Sequence, residues 1–212
     1  MSLPETDAAH AEPRPQATPG PLGGDPALIG VPTFVVGSIA LGLTLVGYLP
    51  AEAAGAPVAI ILAATALGQL IAALWAAALG QSAVAAIFGV FTGFWLSYAV
   101  LVLGLIHGWF GITADTATRT QALFLISWLA TVVLLTVSTL RLPAAFTVLF
   151  ALIDVALALV LLATLNGSDT LRTAGGYAVF AFVAVGFYLF LHVTSLATGG
   201  RGLPLGRPAV GG

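Results

Sequence analysis

From Ala27 to Ala197 the chain is a succession of long apolar runs separated by short polar punctuation. Six such runs can be delimited, each long enough to cross the ~30 Å hydrocarbon core as a helix of about 20 residues. They predict helices over 27–49, 57–79, 83–106, 121–140, 144–165 and 175–197. Pro50, Pro57 and Pro143 fall in the connections or first turns, where a proline does least harm. Every connection is short; the longest, HGWFGITADTATRT, joins the third run to the fourth. The expected fold is an all-α membrane protein, a bundle of six transmembrane helices over 25–197.

Composition agrees with this pattern. Charged residues make up 7% of the chain, far below the roughly 25% of soluble domains, so there is not enough charge to cover a water-facing surface. The segment 1–24 is rich in Pro, Gly and acid and has no apolar run, which predicts a disordered N-terminal tail. It lacks the basic and apolar regions of a cleavable signal, so the first span is expected to be retained. The segment 198–212 reads as a second, flexible tail carrying Arg201 and Arg207. An even number of spans puts both tails on one side. Arg14, Arg141, Arg201 and Arg207 then face Arg119 and Arg172 across the membrane, which favours cytoplasmic termini; the expected location is the plasma (inner) membrane.

Several classes of chemistry are excluded. Without Cys there is no disulfide, thiolate metal site or Cys nucleophile. Without Lys there is no Schiff-base chemistry. No basic cluster suggests nucleic acid, and no metal-ligand spacing or phosphate-binding loop is present. No cofactor or metal is expected. Gly80-Gln81-Ser82-Ala83 with His192 faintly resembles an intramembrane serine protease dyad. However, Ser82 lies at a loop edge and the motif lacks its last glycine, so no enzyme is expected.

Asp154 is the one acidic or basic residue well inside a run. A carboxyl at bilayer depth is costly, and such groups tend to mark solute or proton paths. Ionised in a pore, it would repel an anion; protonated, it could donate to a carboxylate or carry a proton. The structural alternative is a bond to a Ser or Thr of a neighbouring helix. Small residues also form ladders, Gly68-Ala72-Ala76-Gly80 and Gly89-Gly93-Ser97, which predict close contact of the second and third helices or a subunit interface.

Two stretches carry a family resemblance. The first span opens with Gly24-Asp25-Pro26-Ala27-Leu28-Ile29-Gly30-Val31, then Phe34; the third contains Phe88-Gly89-Val90-Phe91-Thr92-Gly93-Phe94-Trp95-Leu96-Ser97-Tyr98-Ala99. These resemble the signatures of the acetate uptake transporters, the YaaH-type acetate/succinate permease family. Gln69, Gly80, Trp95, Asn166-Gly167 and Tyr177 also hold the family spacing. The resemblance implies a ring-shaped homo-oligomer, a hexamer, with one narrow pore per protomer for small monocarboxylates. It further implies a pore constriction of Phe34, Phe91 and a third residue between Leu152 and Val155, taken as Ile153. Spans one, three and five run in the same direction. Phe34, Phe91 and Ile153 or Asp154 lie about 7–10 residues into each, or roughly 10–15 Å, so they can share a layer.

The departures are Asp25 for the family Asn, Leu28 for its second Pro, Ala76 for a Glu and Phe91 for a Tyr. The last loses a hydroxyl that could bond a carboxylate. Asp154 is then the candidate proton or substrate group. Asp25, Gln69 and Thr92 are candidate pore-lining or mouth residues, with Asp25 equally suited to capping the helix. Gln69 and Thr65, one turn apart, could instead bond between helices. His192 could relay protons or simply pack, and His107 beside Trp109 and Phe110 suits an interfacial belt.

The expected function is movement of a small carboxylic acid, acetate first and succinate after it, with or without coupled protons. The expected partners are that acid, protons and the lipid bilayer. A channel for urea, a short amide or ammonia/ammonium is the alternative within transport, and a non-transporting assembly protein the alternative outside it.

Overall fold

The computed structural model describes residues 23–210, so the tail expected over 1–24 falls almost wholly outside the described residues. Six helices are long and apolar enough to cross a bilayer: α1 Ala27–Leu45, α2 Val58–Ala78, α3 Ser82–His107, α4 Ala114–Thr139, α5 Ala144–Asn166 and α6 Asp169–Ala197. Strands are absent among the described residues.

Two helices begin earlier than hydropathy predicts. Rather than starting at 121 and 175, α4 starts at Ala114 and α6 at Asp169. The polar residues before each apolar run are themselves helical and capped. Thr113 N donates to Thr116 Oγ1 at 2.9 Å within a reciprocal capping box. Ser168 Oγ accepts from Leu171 N at 3.3 Å. Hydropathy marks the bilayer core, whereas caps mark the helix end. This difference places Asp169 and Arg172 on the first turn of α6.

Helices adjacent in sequence pack on one another, and α1 packs against α6 to close the bundle. Contact between α3 and α4 is the sparsest and is bridged by large rings: Phe94 lies 5.6 Å from Phe124 and 5.4 Å from Trp128. Contact between α1 and α2 is the reverse. A Cβ on Gly37 would overlap the Thr65 side chain, and one on Gly68 would overlap Thr33. Here α2 contains a π-helical stretch, Ile61–Ala66, which adds a residue to the turn and shifts the phase of the face presented to α1.

The small-residue ladders do not meet each other. Gly68 faces Thr33 of α1, while Ala72 packs in a cluster with Phe88 of α3. On α3, Gly93 faces Trp128, Ser97 Oγ accepts from Trp128 Nε1 at 3.2 Å, and Gly89 is exposed with nothing nearby. A four-residue step exceeds the 3.6-residue turn, so each ladder drifts around its helix and meets different neighbours.

The C-terminal segment follows a definite course. Ser195 Oγ donates to Arg201 O at 2.7 Å, and Tyr188 Oη donates to Pro204 O at 2.7 Å. Ala145 N donates to Leu205 O at 2.9 Å, and Val210 N to Leu140 O at 3.0 Å. Residues 201–210, which composition reads as flexible, thus cross the ends of α5 and α6 and reach the α4–α5 turn.

Candidate functional site

A cavity of about 360 Å³ opens inside the bundle, and α2 contributes nothing to its wall. Along α3 the lining residues run Phe91, Trp95, Tyr98 and Leu101; along α5 they run from Ile153 through Leu157 and Val160 to Thr164. At one end, near the α5–α6 turn, the lining includes Thr118, Gln121, Thr164, Ser168, Asp169 and Arg172. At the other it narrows to Phe34, Phe91 and Ile153, with Phe182 beside them. The mouth is therefore polar and the base apolar.

The base is tightly closed. The Phe34 and Phe91 rings meet edge to face with centroids 5.0 Å apart, and Phe182 lies 5.7 Å from Phe34. Phe34, Phe91 and Ile153 are 6%, 4% and 5% exposed, so their side chains are packed against their neighbours at this end. Such edge-to-face contacts hold each ring in place. The geometry thus brings together the three residues that the family resemblance implied and that shared depth in α1, α3 and α5 allowed to meet.

Asp154 lies elsewhere. It does not line the cavity, although its neighbour Ile153 does. Successive residues of a helix point about 100° apart, so shared depth does not mean a shared face. Asp154 Oδ2 accepts from Thr136 Oγ1 of α4 at 2.6 Å, while Oδ1 is buried with no partner. The single hydroxyl hydrogen of Thr136 is also aimed at Val132 O, 2.9 Å away. A proton on Asp154 would satisfy both, with Asp154 donating to Thr136 and Thr136 donating to Val132.

The remaining candidates also lie outside the cavity wall. Asp25 is exposed, and its Oδ1 accepts from Ala27 N at 2.9 Å, capping α1. Gln69 is fully buried; its Nε2 donates to Gly30 O and to Thr33 Oγ1, tying α2 to α1. Thr92 donates to Phe88 O of its own helix at 2.8 Å. His192 Nδ1 lies 2.8 Å from Leu203 O; a carbonyl only accepts, so Nδ1 carries the hydrogen and anchors the C-terminal segment. His107 stacks on Trp109 at 5.5 Å, outside the bundle core.

The model of the GPR1/FUN34/yaaH family matches residues 8–199, nearly the whole chain. The chain belongs to that family. A curated relative, the meiotically up-regulated gene 86 protein of Schizosaccharomyces pombe (strain 972), is 32% identical over 129 residues. That alignment takes in 56% of this chain but only 41% of the relative, so the chain spans about two-fifths of that protein's length. A solved structure described as the bacterial acetate channel SatP superposes with a TM-score of 0.76 at 22% identity, covering 87% of this chain and 99% of that one. The six-helix fold of this GPR1/FUN34/yaaH protein is therefore shared with that channel.

The cavity of this family member also holds groups to which the sequence reading assigns no role in a site. Arg172 carries a positive charge at the mouth, where its Nη2 pairs with Asp169 Oδ1 at 2.8 Å. Hydropathy leaves Arg172 in a loop, so the available signal was the cap at Ser168, which moves it onto a helix. Hydropathy puts Gln121 at the very start of the fourth span, where nothing marks it as lining; with α4 beginning at Ala114 it lies about two turns into the helix. Trp95, Tyr98 and Phe182 lie within apolar runs, where nothing but a helical face assignment separates lining from packing.

Proposed function

We propose that the protein carries acetate, or another small monocarboxylate, across the plasma membrane through this cavity. The observation that carries the reading is the gradient along one wall. A polar mouth bearing Arg172 leads over about 360 Å³ to an apolar layer of Phe34, Phe91 and Ile153. Asp169 occupies only part of the Arg172 guanidinium, whose five N–H donors can also meet a carboxylate entering the mouth. A dry ring of side chains selects small, weakly hydrated solutes and can gate by dewetting. The solved neighbour's description as an acetate channel points the same way.

In this reading Phe34, Phe91 and Ile153 form the constriction, and Gln121 with the hydroxyls of Thr118 and Thr164 replaces part of the solute's hydration shell. No cation lines the layer itself, so the neutral acid crosses it at lower cost than the anion. The proton then travels with the acid, and Asp154 serves as a link between α4 and α5. Succinate ranks below acetate because a second carboxyl must be desolvated at the same layer. The cavity is enclosed by one chain, which suits a homo-oligomer, a hexamer, with one pore per protomer. Both termini lie on the cytoplasmic side, with Arg141, Arg201 and Arg207. A channel for cationic or neutral solutes would suit a layer with a carboxylate and no cation; no cation lines the layer, but Asp154 does not line the cavity either.

Flux into proteoliposomes tests the proposal. Saturable acetate uptake that rises at acid pH is expected. Urea or ammonium flux without acetate flux would overturn it.

A further inference from the structure

Trp95 is 1% exposed and lines the cavity, and its indole Nε1–H, wholly buried, meets no acceptor. A buried donor without a partner is uncommon and costly, because folding has removed water without replacing it. The position of this donor is informative. Trp95 lies one turn from Phe91 on α3, about 6 Å along the axis toward the mouth at 1.5 Å per residue. Its ring is 6.2 Å from Phe34 and 5.1 Å from Phe94, both edge to face, so neighbouring side chains fix its orientation. Beyond it toward the base the lining is Phe34, Phe91, Phe182 and Ile153, which offer no side-chain donor.

We infer that the Trp95 indole N–H forms an inner carboxyl subsite, the last hydrogen-bond donor a small monocarboxylic acid meets before the apolar layer. This rests on the proposed transport of such acids and adds a residue that positions them. One carboxyl oxygen accepts from Nε1–H, while the short alkyl end lies against Phe34 and Phe182. A single neutral donor suits the site, since a fixed cation there would hold the anion and slow its departure. The rings of Phe34 and Phe94 pack against the indole and Nε1 is buried, so the subsite fills when a neighbouring side chain gives way.

Two measurements test it. The first is proteoliposome acetate uptake by Trp95→Phe, which keeps an aromatic ring and removes the donor. Loss of a hydrogen bond to a charged group predicts a half-saturation concentration raised about tenfold, with maximal uptake changed much less. The second uses the wild-type protein labelled with ¹⁵N at the indole nitrogens and titrated with acetate. The Trp95 resonance, identified by elimination through single replacements of Trp75, Trp109 and Trp128, should move with acetate and stay in place with matched chloride. Wild-type uptake that saturates while that resonance stays put would overturn the subsite alone, as would an unchanged half-saturation in the variant. Absence of saturable wild-type acetate uptake would overturn the subsite together with the transport reading.

Discussion

The contact between α1 and α2 and the wall between α3 and α4 are both made of helix faces buried in the same bundle, yet from opposite kinds of residue. Gly37 and Gly68 let α1 and α2 approach until Thr65 and Thr33 fill the space a Cβ would take. Phe94, Tyr98, Phe124 and Trp128 hold α3 and α4 apart, and the cavity lies beside them. In lipid no water-driven force closes such gaps, so side-chain size sets the helix spacing directly. A bundle can therefore be rigid along one contact and hollow along another without a change in overall hydrophobicity.

The largest effect is expected where the contact is closest. Gly37→Val puts branched carbons into the Thr65 side chain and breaks the α1–α2 contact. Overpacking of a tight site costs about 1–3 kcal/mol, and more where backbone must move. Detergent-solubilised protein should lose its monodisperse peak or melt well below wild type. A wild-type melting temperature would mean that α1 and α2 can separate freely, and the contrast between the two contacts would fail.

Phe34→Ala acts on the hollow side of the comparison. The ring is held by Phe91, Trp95 and Phe182, so its removal should leave the helices assembled and the layer open. Butyrate uptake, measured against acetate in proteoliposomes, should rise several-fold relative to wild type. Unchanged exclusion of butyrate would show that the size limit lies elsewhere.

These residues also show what a sequence can and cannot disclose. The six helices are legible because a bilayer core demands runs of apolar residues of fixed length. Phe34, Phe91 and Ile153 are singled out by the family resemblance, and equal depth in parallel helices only makes their meeting possible. Depth alone could not choose between Ile153 and Asp154, which differ in direction rather than height. Nor did hydropathy place Arg172 or Thr118 on helices, because the polar first turns of α4 and α6 resemble loops until their caps are recognised. The π-helical stretch at Ile61–Ala66 has no compositional mark at all. The course of residues 201–210 depends on backbone acceptors that Gly- and Pro-rich composition does not advertise.

A smaller effect is expected at the mouth. Arg172 is about half exposed, with Asp169 more exposed still, so their pair contributes little to stability. Its role in the proposed path is electrostatic. Arg172→Gln should lower acetate uptake a few-fold at low ionic strength, and the deficit should shrink near 0.15 M salt, where the Debye length is about 8 Å. A deficit independent of salt would mean that Arg172 shapes the mouth instead of attracting the solute.

The smallest effect is expected at Asp154, and it bears directly on what a polar group inside a bundle does. Its Oδ2 meets Thr136 across the α4–α5 contact, and it takes no part in the cavity wall. An amide keeps both an acceptor and a donor at this position, so Asp154→Asn preserves the link to Thr136 while removing any proton the carboxyl could exchange. Acetate uptake across pH 5–8 should follow the wild-type profile in both rate and slope. If the variant instead loses its pH dependence while staying folded, the carboxyl carries the transported proton. The α4–α5 contact would then have to be counted as part of the transport path, alongside the aromatic wall.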